Sequence, residues 1–91
     1  MAKRVDDNQA AIVDALRRAG CNIESLHEVG HGVPDLLVGR HGVNYLLEVK
    51  APCGRLTGKQ PEWHATWRGQ VAIVRTVDEA FAVMRILQVG D

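Results

Sequence analysis

A chain of 91 residues, 46% of them hydrophobic, can bury one modest core with little to spare, so residues 1–91 read as a single domain that self-association would help. No apolar run reaches the length of a membrane span, and Met1-Ala2-Lys3-Arg4 leads into acids with no apolar signal segment behind it, so a soluble, cytoplasmic protein without a membrane partner is expected. Eleven Lys and Arg balance eleven Asp and Glu, which disfavours general attraction to nucleic acid, yet residues 36–61 hold Arg40, Lys50, Arg55 and Lys59 against the single acid Glu48.

The first element is a helix. Asp6 or Asp7 can cap its start, Gly20 stops it, and Arg17 and Arg18 sit near the negative end of its dipole. Gln9, Ile12, Val13 and Leu16 recur at i, i+3, i+4 and i+7, one apolar face with a Gln at its head. Residues 22–26 follow as a first strand. The next stretch, Leu26-His27-Glu28-Val29-Gly30-His31, contains H-E-x-x-H, the zinc-protease pattern, in which both His must stand on adjacent turns of one helix. Gly30, Gly32 and Pro34 break such a helix, so the pattern reads as a coincidence in a loop, and a zinc hydrolase using His27, Glu28 and His31 is a remote alternative. Either His can still lie beside a site or touch DNA.

Two further strands are expected. Leu36-Leu37-Val38-Gly39 is an apolar run, Arg40-His41-Gly42-Val43 supplies the Gly that a tight hairpin needs, and Tyr45-Leu46-Leu47-Glu48-Val49-Lys50 runs up to the turn formers Ala51-Pro52-Cys53-Gly54. Side chains two apart share a face, so Glu48 and Lys50 point the same way. If His41 and Gly42 are the two loop residues, Arg40 pairs with Val43 and Asp35 falls opposite Glu48; a slip of one residue would put the carboxylates on opposite faces. Two like charges at a half-buried strand end call for something positive between them. Mg²⁺ suits the place, because it takes one or two protein carboxylates and completes its shell with water and phosphate oxygens. Lys50, on the same face, could orient an attacking water and stabilise charge on a phosphate.

Residues 51–58 form a loop containing Pro52, Gly54 and Gly58, basic and free of acid, which fits either a mobile contact to a DNA backbone or an ordinary surface loop. Cys21 and Cys53 have neither the number nor the spacing of a disulfide framework or zinc site and read as free thiols. Thr57 and Gln60 have capping-box spacing at the start of a second helix, and Pro61 is tolerated in its first turn. Trp63 and Trp67, four apart on the side of Gln60 and His64, fit core packing better than a base-stacking platform, and His64 reads as a helix-surface residue. Val71-Ala72-Ile73-Val74 is wholly apolar and reads as an interior strand. The helix before it then serves as a right-handed crossover from the Glu48 strand. Thr76 and Glu79 form a second capping box, opening a last helix to about Leu87 whose core face is Val77, Ala80, Phe81, Met84 and Leu87. Val83 and Ile86 lie off that stripe, as a second apolar surface suited to a dimer or as exposed aliphatics of no consequence.

Pro34-Asp35 followed by Glu48-Val49-Lys50 resembles the PD-(D/E)XK nuclease signature. Gly32-Val33-Pro34-Asp35-Leu36-Leu37, Leu47-Glu48-Val49-Lys50, Leu56-Thr57 and the stretch from Gln60 to Trp67-Arg68-Gly69 are similar to the VRR-NUC branch, especially its small stand-alone, phage-type members, over residues 7–84. The resemblance implies a metal-dependent endonuclease in which Asp35, Glu48 and the Val49 carbonyl hold Mg²⁺ or Mn²⁺, Lys50 positions the attacking water and Gln60 supports the arrangement from the helix start. It also implies a supporting role at Gln9, where related resolvases carry an acid, though the neutral Gln fits a solvent or backbone contact equally. A homodimer cutting branched DNA such as a Holliday junction follows from the resemblance alone, with Arg40, Arg55 and Lys59 as backbone contacts.

The expected fold is α/β, in the order α-β-β-β-α-β-α, with a mixed four-stranded sheet flanked by helices, as in the restriction-endonuclease-like core. An alternative from another class is a non-cleaving DNA-binding or interaction module on the same fold, motivated by Gln9 and the neutral net charge.

Overall fold

The apolar periodicities resolve into helix α1 (Arg4–Arg18), strands β1 (Asn22–Ser25), β2 (Leu36–Arg40) and β3 (Val43–Val49), helix α2 (Gln60–Thr66), strand β4 (Ala72–Val74) and helix α3 (Val77–Met84). The computed structural model describes residues 4–87, with side chains from Asn8 onward. The strands form one mixed sheet in the order β1-β2-β3-β4, antiparallel except for the parallel β3–β4 pair. That is the expected fold class and element order.

Hydrophobic alternation decides which side of the sheet the helices cover. Leu36 and Val38 of β2, Leu47 and Val49 of β3 and Val74 of β4 turn to one face, where Ile12 and Leu16 of α1 and Ala80 and Met84 of α3 close the core. Burying a Leu or Ile there contributes about 1.5–3 kcal/mol each, which makes this layer the main source of stability. Glu48, between Leu47 and Val49, therefore points to the opposite face, where α2 lies; α2 itself contains no buried residue.

The helix ends are built from short polar devices. Gly20, at φ 94°, lets the chain turn so that Cys21 N–H donates to Leu16 O at 3.0 Å and closes α1. Thr76 caps α3, its hydroxyl accepting from Glu79 N–H at 3.0 Å, while the Glu79 carboxylate accepts from Arg75 N–H at 2.6 Å.

Five expectations need correcting. Helix α1 is already helical at Arg4, the first described residue, ahead of the expected caps Asp6 and Asp7, whose side chains lie outside the described ones. Helix α3 ends at Met84 because Arg85 takes the left-handed conformation at φ 60°, so Leu87 is 87% exposed rather than on a core face. Val83 and Ile86 pack against the core and do not form a second apolar surface. Strand β4 is an edge strand by pairing, its apolar character coming from α3 packed against it. The Trp63–Trp67 pair is not core: Trp67 is 45% exposed and stacks on Trp63 at 4.6 Å between ring centroids.

Candidate active site

The hairpin register settles the meeting of the two carboxylates. Arg40 pairs with Val43 and Leu36 with Leu47, so the next residues, Asp35 and Glu48, come opposite each other on one face. In the parallel ladder Lys50 N–H donates to Val74 O at 3.0 Å, which turns the Val49 peptide groups to the other side, toward β2. Val49 N–H there donates to Asp35 Oδ2 at 2.8 Å, and the Val49 carbonyl lies on the same edge.

Gln60, the first residue of α2, ties the group together. Its Oε1 accepts from Lys50 Nζ at 2.8 Å and from Thr57 N–H at 2.9 Å, and its Nε2 donates to Glu48 Oε2 at 3.1 Å. Three donors and acceptors thus fix which way the amide points. Only the Gln half of the expected capping box is made, since Lys59 rather than Thr57 occupies the cap position. One side chain thus makes both the helix-start contact to Thr57 and the contacts to Lys50 and Glu48.

Glu48 is 1% exposed, and its nearest cation, Lys50 Nζ, stands 3.9 Å from Oε2. Burial foremost, and then the neighbouring Asp35 carboxylate, push the Glu48 carboxyl up to about 8, with Lys50 pulling the other way. Burial, aided by the charge of Lys50, lowers the pKa of His64, so its imidazole is neutral at pH 7. The approach of His64 Nε2 to Glu48 Oε1 at 3.7 Å is therefore a contact between two buried polar atoms rather than an ion pair. Two adjacent acids, Glu48 buried and Asp35 partly so, with one cation at 3.9 Å and an unpartnered Glu48 Oε1, are a donor set suited to a hard divalent cation, which Asp35, Glu48 and the Val49 carbonyl could hold.

A cleft of about 410 Å³ opens onto this group between the 27–35 loop, with His27, His31 and Asp35, and Thr57, Lys59 and Gln60 at the start of α2. The two walls meet at Gly32. Its φ is 85°, and a Cβ there would come within 2.5 Å of Lys59 O, so only glycine permits both the turn and the approach. His27 and His31 lie in turns rather than on a helix, so the H-E-x-x-H stretch lacks the geometry of the zinc pattern and serves as cleft wall.

Other expected residues fall elsewhere. Arg40 lies at the hairpin end of the sheet, about 17 Å of strand from Asp35 at about 3.3 Å per residue. Lys59 lines the cleft, and Arg55 is exposed on the 51–59 loop, which Arg75 anchors by donating to Gly54 O at 2.9 Å. The Gln9 side chain has no hydrogen bond among the described residues. Its neighbour Asn8 instead reaches the site strand, Nδ2 donating to Lys50 O at 2.7 Å. Sequence reasoning passed over Asn8, whose only signal is its place one residue from Gln9, and the reading of His64 as a helix-surface residue is corrected: its side chain is only 11% exposed and turns toward Glu48, a position whose signal is its spacing of one turn from Gln60.

An antiparallel three-stranded sheet, a parallel fourth strand reached through α2, and two helices on the opposite face make this a VRR-NUC-type fold. Among solved structures the chain is similar to a protein described as a VRR_NUC domain, with a TM-score of 0.74 and 22% sequence identity, covering 96% of this chain and 100% of the other. Neither a protein-family model nor a curated protein matches it.

Proposed function

We propose that the protein is a metal-dependent endonuclease that hydrolyses DNA phosphodiester bonds, using Asp35, Glu48 and the Val49 carbonyl to hold Mg²⁺ or Mn²⁺. The observation that carries this reading is the single hydrogen-bonded group joining Gln60, Glu48 and Lys50, with Asp35 across the hairpin, on a VRR-NUC-type fold. A bound divalent cation supplies the positive charge that lowers the pKa of an attacking water and offsets charge building on the phosphate. The chain's own residues do the rest. Lys50, its ammonium held by Gln60 Oε1, orients that water and faces the developing charge. Gln60, which lines the cleft, bridges Lys50 and Glu48 by a hydrogen bond to each and so fixes both side chains behind the cleft wall. Lys59 and Arg55 take flanking phosphates of the DNA backbone.

The substrate in this reading is branched DNA, such as a four-way junction, cut by paired sites of a homodimer. The resemblance of Gly32-Val33-Pro34-Asp35 and Glu48-Val49-Lys50 to small stand-alone members supports it. A panel of linear, flapped and four-way substrates, run in Mg²⁺, Mn²⁺ and EDTA beside Asp35→Asn, tests the proposal. Cutting of branched substrates by the wild type, abolished by EDTA and by the substitution, is expected. A wild type that leaves every substrate intact in both metals sinks the nuclease reading.

One observation favours a second reading, a DNA-binding module that does not cut: α1 presents the neutral amide of Asn8, not an acid, to the site strand. Binding of four-way DNA without cleavage by the wild type and by Lys50→Ala alike would select it.

A further inference from the structure

Three side-chain atoms are buried without a hydrogen-bond partner among the described residues, and two of them, Glu48 Oε1 and His64 Nε2, face each other across 3.7 Å. An unpartnered polar atom costs free energy when buried, so two such atoms side by side call for an explanation. They are nearly within reach: a closure of less than about 1 Å brings them to ordinary hydrogen-bond distance. The His64 side chain is only 11% exposed, and its ring is held edge-on by Trp63 at 5.8 Å between centroids, which leaves it little freedom to turn elsewhere. On the other carboxylate oxygen the partner is already in place, Gln60 Nε2 donating to Glu48 Oε2 at 3.1 Å. Gln60 and His64 are four residues apart on α2 and so project from the same side of the helix.

We propose that His64 is a positioning residue for Glu48, its Nε2–H donating to Oε1 as Gln60 donates to Oε2, so that one turn of α2 fixes the plane of the buried carboxylate. A carboxylate that ligates a cation is held in orientation by outer hydrogen-bond partners, and removing such a partner weakens binding although it never touches the ion. This gives α2, which buries no residue of its own, its purpose in the fold: it delivers two donors to one acid. The inference rests on the metal-dependent reading of the site and deepens it.

The test uses the full chain with His64→Leu, which keeps bulk and loses the donor, and His64→Gln, which keeps a side-chain N–H at similar reach. Two readouts are needed, the dissociation constant for Mn²⁺ by calorimetry and the imidazole ¹⁵N–¹H signals of His64 by NMR. His64→Leu is expected to weaken Mn²⁺ binding about 10-fold and to lower kcat with little change in KM for DNA, and His64→Gln to restore most of both. The wild type should show a protected proton on Nε2 that is lost in Glu48→Leu. Equal Mn²⁺ affinity in all three proteins, equal impairment of Leu and Gln variants, or a proton carried on Nδ1 instead would overturn the proposal. A wild type that binds no Mn²⁺ overturns the nuclease reading, and the Nε2 proton then decides the His64–Glu48 contact by itself.

Discussion

Burial and the neighbouring Asp35 raise the Glu48 pKa, and its titration has a readable consequence. Its folded pKa of about 8 lies above the ordinary 4.5, so between those values the folded state holds a proton that the unfolded chain has released. In EDTA the contribution of Glu48 to stability is therefore complete below pH 4.5 and is lost as pH rises toward 8. Thermal melts should show that decline, and Mn²⁺ should raise the melting temperature more at pH 8 than at pH 5, because a bound cation favours the ionised form. A stability profile flat from pH 5 to 8 in EDTA would contradict the assignment of Glu48 as a strained acid. For Lys50 the expectation is kinetic: Lys50→Ala should fold, bind DNA and lose about 10²- to 10³-fold in cleavage rate, measured in single-turnover reactions. Alternation in β3 made the shared face of Glu48 and Lys50 legible in the sequence, whereas the arrival of Asp35 opposite Glu48 hung on the hairpin register, which the pairing of Arg40 with Val43 supplies. Asn8 and His64 were not legible, since their relation to β3 depends on how α1 and α2 dock, which local periodicity does not encode.

The elements divide into a structural layer and a site layer. Leu16 of α1 is fully buried in the core, whereas Trp67, just past α2, is 45% exposed and rests on Trp63. Denaturant unfolding should therefore give a loss of about 2–5 kcal/mol for Leu16→Ala and less than about 1 kcal/mol for Trp67→Ala, the reverse of what the size of the Trp side chain suggests. Gly32 is where the two layers of the site touch. Gly32→Ala places a Cβ against the Lys59 carbonyl at positive φ, so it should cost about 1–3 kcal/mol and also separate Asp35 from Gln60, lowering both the melting temperature and the Mn²⁺ affinity. A variant with wild-type values for both would show that the cleft walls do not depend on this contact. Element order and type were readable from hydrophobic period and capping boxes. The edge position of β4 and the early end of α3 were not, because an edge strand covered by a helix is as apolar as an interior one, and nothing in Arg85 announces a left-handed cap.

Taken whole, the molecule has the VRR-NUC-type fold, and no helix among the described residues is long and apolar enough to cross a membrane. In the proposed reading, the neutral net charge leaves any attraction to DNA to local clusters of base. Lys50 belongs to the site, Lys59 lines the cleft and Arg55 is exposed on the 51–59 loop, while Arg40 lies at the far end of the hairpin. With two or three phosphate contacts, log K for DNA should fall against log salt with a slope of about −2 to −3, and Arg55→Ala should reduce that slope by about one. A slope near zero would remove the backbone-contact role from the 51–59 loop. The most direct measurement of the central claim compares wild type with Glu48→Gln, a nearly isosteric change that removes the charge from the buried acid. Incubated with a four-way junction in Mn²⁺, the wild type is predicted to cut and Glu48→Gln to leave the junction intact while melting at least as high in EDTA at pH 8. Equal cutting by both proteins would contradict the account, as would a wild type that leaves the junction whole.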